Sequence, residues 1–360
     1  CTARVELAKN YTLAGGSYAN MVFPDAAAEE LLNCDQCTDC FKPAFNYRPK
    51  QSAQYALAIS NFDSGDESPQ RYNFGFIAST DDHTARPGTG YKQYERRKMT
   101  FAMGPKSKMW EYEYKAEDPT FPELPKIEPG ESQPDSERVS SFVYPGGILA
   151  VHSEGRGKDQ IWSALKNKNV YGTSGPRILL WFDIVNSPEG KQPMGSEIVM
   201  SQNPKFIVRA AGSFKQQEGC PIESVDSLSP ERLEYLCAGE CYNPTNERYV
   251  IERIEVIKIT PQSYPGEAIS PLIDDVWKSI SCKDQSECII EFEDENFSRD
   301  SVYYVRAIQE LTPAINGANG SSGTQEFKLC KGSFRTDLDD NCLSEVNERA
   351  WSSPIYLNKP

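Results

Sequence analysis

Asp81 and His83 stand one residue apart at the end of the run Phe74-Gly75-Phe76-Ile77-Ala78-Ser79-Thr80-Asp81-Asp82-His83. Both side chains are metal ligands. An apolar stretch that stops at a small polar pair predicts a strand. In a barrel of parallel strands the carboxyl ends are where chemistry collects, so two donors from one strand end can reach one divalent ion. An Asp-x-His pair is also satisfied by a turn whose Asp caps the next element. The loop Thr84-Ala85-Arg86-Pro87-Gly88-Thr89-Gly90-Tyr91-Lys92 then brings turn residues and two cations together. Arg86 and Lys92 suit an anionic substrate beside a metal, and equally suit a solvated basic loop.

A second group lies further along. Gly147-Ile148-Leu149-Ala150-Val151-His152 predicts a buried strand, and Asp159-Gln160-Ile161-Trp162-Ser163-Ala164-Leu165 has its apolar residues at helical spacing. Strand, loop and helix fit one βα unit. At its strand end His152 is expected as a proton donor or ligand and Glu154 as an orienting carboxylate, with a satisfied core histidine as the plain alternative.

The stretch FGFIASTDDHTARPG resembles the last metal motif of the polymerase-and-histidinol-phosphatase (PHP) superfamily, in which a strand ends in Ser/Thr-Asp-x-His. GGILAVHSEGRGKDQIWSALKNKNVYGTSGPRI and NERAWSSPIY are similar to a PHP-related bacterial group, domain-of-unknown-function family 3604. The resemblance implies that Asp81 and His83 bind metal and that the chemistry is phosphoester hydrolysis. Manganese, zinc and iron all suit such ligands. This chain departs from the superfamily pattern in one respect: its only histidines are His83 and His152, so it has no His-x-His. The resemblance also begins in mid-pattern at CTARVELAKNYTLAGG. The expectation is therefore the carboxyl half of an enzyme whose partner, the amino-terminal half of the same protein, supplies the other ligands.

Composition sets the outer bounds. With 52 acidic and 38 basic residues the net charge is -14, which opposes nucleic acid and anionic membrane surfaces as partners and leaves a small anionic substrate held by local cations. No apolar stretch approaches the roughly 20 residues of a spanning helix. Eleven cysteines in loop-like surroundings favour a periplasmic or extracellular location. Cys282 with Cys288 and Cys330 with Cys342 are local pairs, while Cys220, Cys237 and Cys241 supply one further bridge with a choice of partners. Cys34, Cys37 and Cys40 have the spacing that opens an iron-sulfur run but lack the fourth ligand, so bridges among these and Cys1, or to the amino-terminal half, are the plain reading. Walker, dinucleotide and G-x-S-x-G signatures are absent.

The expected fold is α/β followed by β. Residues 1–176 form the carboxyl-terminal part of a PHP-like distorted βα barrel, with helical patterns from 2 to 61 and an insertion at 104–138 that holds six prolines. Residues 177–360 form a disulfide-stapled β-sandwich-like domain, with strands at 178–185, 205–210, 249–259, 289–292 and 302–308. In the last of these, Tyr303, Val305 and Ala307 alternate with Tyr304 and Arg306, which predicts one buried face. Ser229-Pro230 opens a short helix that Gly239 ends. Together these give the carboxyl half of a secreted or periplasmic metal-dependent hydrolase. The alternative is a non-catalytic envelope assembly or ligand-binding protein with a degenerate barrel.

Overall fold

Every second side chain is buried along β5 (Leu179–Ser187) and β8 (Lys205–Ala211): Leu180, Phe182 and Ile184 in one, Phe206, Val208 and Ala210 in the other. That period is the mark of strands with one face on a core. A computed structural model describes residues 52–63, 69–79, 89–94, 147–315 and 343–360. The helical patterns expected before residue 52, the insertion at 104–138, Asp81, His83, Arg86, and the cysteines at 1, 34, 37, 40, 330 and 342 lie outside the described residues.

The described strands form two main sheets. In the larger, β12 (Ile273–Gln285), β11 (Ile251–Ile259), β14 (Ser301–Ile315), β15 (Leu343–Ser352), β4 (Val170–Thr173) and β3 (Ile148–Val151) lie side by side. β16 (Ile355–Asn358) also pairs with β14, and β7 (Glu197–Val199) joins β16 in parallel. The smaller sheet has the order β13 (Glu287–Glu293), β8, β5, β6 (Gly190–Pro193). Their inner faces share one core, in which Phe206 lies 5.4 Å from Phe182, 4.9 Å from Phe292 and 4.9 Å from Tyr303 between ring centroids. The Cys282–Cys288 disulfide fastens β12 of one sheet to β13 of the other.

The expected strand, loop and helix after residue 147 are present, with α2 (Lys158–Lys166) following α1 (Ala53–Ala58) in the chain. Their arrangement is not that of a barrel. β3 and β4 are antiparallel neighbours, from Ile148 opposite Thr173 to Val151 opposite Val170. A barrel unit requires parallel strands with a crossover helix. β4 then pairs with β15, Ala350 opposite Thr173, so hydrogen bonding runs without a break across residue 176. Among the described residues the protein is mostly β-sheet, and no closed barrel is formed.

The single buried face expected for 302–308 also needs correction. Tyr304 and Arg306 are as buried as Tyr303 and Val305. The outer face of β14 is covered by Leu57 and Ala58 of α1 and by Phe74 and Phe76, which pack with Ile257, Val302, Tyr304 and Tyr356. Arg306 is tolerated there because its charge is matched. Its Nε donates to Glu255 at 2.9 Å, and its terminal nitrogens donate to the Asp275 carboxylate at 3.0 and 3.2 Å.

On the core side the corresponding group is Asp294, 1 % exposed. Its Oδ2 accepts from Tyr303 Oη and Lys258 Nζ, each at 2.5 Å, and its Oδ1 accepts from the Asn296 amide at 3.0 Å. Burial alone would raise the carboxyl pKa, but these donors outweigh it and hold Asp294 below its ordinary 3.8. A carboxyl depressed on folding contributes stability above its unfolded pKa and loses it as pH falls through the folded value. Asp294→Ala is expected to cost about 3 to 5 kcal/mol at pH 7, because Lys258 and Tyr303 lose their shared acceptor. The difference from wild type should shrink below pH 3.8, where wild type loses the same interaction, as read by urea unfolding at a series of pH values.

Candidate functional site

Residues 72–79, which lead into Asp81 and His83, form no helix and belong to no sheet. The strand expected here is absent because side chains take the place of a neighbouring strand. The Phe74 amide donates to Tyr356 Oη at 2.9 Å, and that hydroxyl donates back to the Phe74 carbonyl at 2.7 Å. The Phe76 amide donates to Ser353 Oγ at 2.9 Å, and Ser353 Oγ donates to the Val170 carbonyl at 2.6 Å. Phe76 meets Tyr304 edge to face at 5.0 Å.

Glycines then let the segment lie flat on the β3–β4 hairpin. A Cβ on Gly172 would stand 2.8 Å from Ala78 Cβ, and one on Gly147 would stand 2.7 Å from the same atom. Gly75 abuts Lys168 just ahead of β4, so the segment follows β4 from Lys168 toward Gly172. On the far side of the motif, the turn Thr89–Tyr91 resumes with Gly90 against Gly175, where an added Cβ would meet Gly175 Cα at 2.3 Å. Both flanks of the Asp81 and His83 segment are therefore anchored at the end of β4.

His152 stands at the opposite end of this hairpin. Its amide donates to the Asn169 carbonyl and its Nε2 lies 2.8 Å from the Leu180 carbonyl, to which it donates. The ring lies between Tyr171 at 5.3 Å and Trp181 at 5.6 Å. From Gly147 to His152 the chain extends about 16 Å at strand rise, and residues 75–78 run away from it. With Nε2 so engaged, His152 is placed as a packing group, while Glu154 is exposed on the following loop.

Lys92, expected to contact substrate, is fully buried. Its Nζ donates to the carbonyls of Cys237 at 2.5 Å and Glu240 at 3.0 Å. These carbonyls close the carboxyl end of α4 (Pro230–Cys237), which follows α3 (Ile222–Ser227) and starts on Ser229 as cap with Pro230 at its first position. A cation suits that end of a helix, where carbonyls are left unpaired. Beside it the Glu240 carboxylate accepts the Gln93 and Tyr94 amides at 2.8 and 3.0 Å. Residues 89–94 thus clasp the cysteine-containing excursion, and Lys92 is a structural cation. The bridge there is Cys220–Cys241, which leaves Cys237 as a thiol. The three sulfurs lie within 4.8 Å of one another, the one group of three His, Cys, Asp or Glu ligand atoms that converges among the described residues. With two of them in a disulfide, the group offers a single thiol.

The same clasp forms one wall of a small cleft of about 20 Å³, room for about one water. Tyr91, Arg177, Ser213, Tyr242, Gln309 and Glu348 are among its lining residues. The Arg177 guanidinium lies 3.7 Å from the Tyr242 ring centroid and 5.8 Å from that of Tyr91, and the two rings meet edge to face at 5.5 Å. Burial, with Cys237 and Glu240 nearby, pushes the Tyr91 phenol up to about 12 against the opposing pull of Arg177, so it stays protonated and donates to the Glu240 carbonyl at 3.2 Å. These residues carried no signal in the sequence. Arg177 follows a proline in a turn and Gln309 sits in a strand, and only the fold brings them together.

Two outcomes follow. Ser353→Ala leaves the Phe76 amide without its acceptor, at a cost of about 1 to 3 kcal/mol, and hydrogen exchange at Phe76 should accelerate while exchange in β5 and β8 stays unchanged. Thiol labelling without reduction should modify Cys237 and spare Cys220, Cys241, Cys282 and Cys288. Because burial raises the Cys237 pKa, with Lys92 opposing, the labelling should be slow at pH 7 and quicken toward pH 9, as followed by peptide mass mapping.

The chain matches no curated protein and no solved structure. Its residues 64–218, which span Asp81, His83, the β3–β4 hairpin and Arg177, match the family described as Protein of unknown function (DUF3604).

Proposed function

We propose that this chain is the carboxyl half of a secreted or periplasmic, PHP-like metal-dependent hydrolase acting on phosphoesters. The observation that carries the reading is the coincidence of the Asp81-x-His83 motif with a family match and with two anchored flanks at the end of β4. In this reading Asp81 and His83 hold a divalent ion, manganese, zinc or iron, and Arg86 contacts the anionic substrate. When bound, such an ion lowers the pKa of its water toward about 7 and neutralises charge on phosphoryl oxygens. Lys92 keeps the turn at 89–94 seated and does not reach substrate. The remaining ligands come from the amino-terminal half. The Cys220–Cys241 and Cys282–Cys288 disulfides support an oxidising compartment, and the net charge of -14 speaks against nucleic acid as a partner. Among the described residues no helix is long and apolar enough to cross a membrane.

A second reading, a ligand-binding protein with a degenerate metal site, is favoured by one observation. The second histidine of the chain is engaged by the Leu180 carbonyl at the far end of the hairpin. The two readings separate in one experiment. The product of the full reading frame and its Asp81→Asn and His83→Ala variants are assayed on phosphomonoesters and phosphodiesters with manganese or zinc, and their bound metal is measured. Metal-dependent turnover that falls by at least about 10²-fold in both variants, with loss of bound metal, is expected. Full activity in His83→Ala would overturn the assignment of the metal site to Asp81 and His83, and inactivity of all three proteins would favour ligand binding.

A further inference from the structure

Three sulfurs converge where α4 ends. Cys237 is the last residue of that helix, Cys241 follows it in the spacing Cys-x3-Cys, and Cys220 comes just before α3. Their sulfur atoms lie within 4.8 Å of one another. Between Cys237 and Cys241 the chain reverses through Ala238 and Gly239, both at positive φ, 45° and 83°. Alanine rarely adopts that conformation, so its surroundings hold the turn in place.

The convergence is supported by hydrogen bonds that do not involve the Cys220–Cys241 bond. The Cys241 amide donates to the Gly219 carbonyl at 3.0 Å, the Gln217 amide to the Asn243 carbonyl at 2.7 Å, and the Asn243 amide to Gln216 Oε1 at 2.9 Å. These bonds continue the antiparallel pairing of β9 (Phe214–Gln216) with β10 (Pro244–Arg248). Cys237 is held from the other side, where its carbonyl accepts Lys92 Nζ at 2.5 Å and the Glu240 amide at 3.2 Å. Opening the disulfide therefore leaves three thiols on one backbone frame. Three thiolates each about 2.3 Å from a tetrahedral ion lie about 3.8 Å apart, a separation inside the 4.8 Å that already encloses these sulfurs.

We infer that Cys220, Cys237 and Cys241 form, once their bridge is reduced, a three-thiolate site for a thiophilic ion of the zinc class. A reductant of the dithiol class delivers two electrons and two protons to the bridge and leaves as its own disulfide. The zinc ion then displaces the three thiol protons and binds the three sulfurs, giving a centre with one net negative charge. The buried Lys92 ammonium, which acts electrostatically on Cys237, offsets that charge. Cys220 and Cys237 are half-buried, which leaves a fourth position for water. The Glu240 carboxylate does not fill it, because it is held by the Gln93 and Tyr94 amides. Bridge and ion exclude each other, so in an oxidising compartment the ion is held only while the bridge is open. The inference shares no residue with the metal reading at Asp81 and His83 and does not depend on it.

The test is metal protection of individual cysteines. The full chain is reduced with a phosphine, which becomes the phosphine oxide with oxygen from water and adds no competing thiol. It is then alkylated over a series of zinc concentrations, and each cysteine peptide is read by mass mapping. Zinc is expected to slow alkylation of Cys220, Cys237 and Cys241 together by at least about tenfold, with a chelator restoring the rate. In unreduced protein zinc should leave the labelling of Cys237 unchanged. Cys237→Ser, checked for fold by circular dichroism, should abolish the protection of Cys220 and Cys241, whereas His83→Ala should retain it, which separates this site from the one at Asp81 and His83. Alkylation of the three cysteines at the same rate with and without zinc would overturn the inference, and this wild-type result decides alone if Cys237→Ser does not fold. Protection of Cys220 and Cys241 that persists in Cys237→Ser would overturn the three-thiolate assignment.

Discussion

The arrangement of this protein depends on β14 being paired along both edges while both of its faces are buried. Its backbone bonds to β11 on one side and to β15 and β16 on the other, so it has no free edge over most of its length. Tyr303 and Val305 face the core shared with the smaller sheet, Tyr304 faces Phe76, and Gln309 reaches the cleft. A strand so placed must accommodate polar groups on both faces. It does so with two matched charge clusters, Arg306 with Glu255 and Asp275, and Tyr303 with Asp294 and Lys258. Removing one partner from such a cluster leaves a buried charge uncompensated, which is why these few residues govern so much of the fold.

Seen from β14, the flanks of the Asp81 and His83 segment are attached to the sheet surface and are not part of the sheet. Two hydroxyls, on Ser353 and Tyr356, and two close glycine contacts, at Gly147 and Gly172, do the attaching. Such a seat is shape-specific. A ladder of backbone bonds can slip by two residues and keep its facing, whereas Phe74 and Phe76 bond to fixed side chains and Ala78 fits only where both glycines lie.

The sequence made the strands of both sheets legible wherever hydrophobic period and β-branched residues coincide, as in β5, β8, β11, β13 and the first half of β14. α4 was equally plain, because Ser229, Pro230 and Gly239 mark its ends. β12 was not. It opens on Asp274 and Asp275, and distant partners, Arg306 and Gln54, satisfy the Asp275 carboxylate in that acidic strand start. The β3–β4 hairpin misled for a related reason. A buried strand, a helix and a second buried strand have one local pattern whether the strands pair in parallel or not, and the difference lies in β15, far along the chain. Lys92 was misplaced because a cation in a Gly/Pro turn looks solvated until the helix end that it neutralises is seen. The Cys282–Cys288 bridge was legible from proximity, while the choice among Cys220, Cys237 and Cys241 was settled only by the clasp around them.

The hydroxyl pair at Ser353 and Tyr356 also orders events in time. Phe74 and Tyr356 are separated by 282 positions, and Phe76 and Ser353 by 277. Contacts of that span are among the last that a growing chain can make. While a ribosome is still elongating through β14 and β15, residues 72–79 have neither of their hydroxyl partners. Residues 72–79 can be seated only after residues 353 and 356 have emerged, so the flank that leads toward Asp81 is held back from its platform until the sheet beneath it is complete.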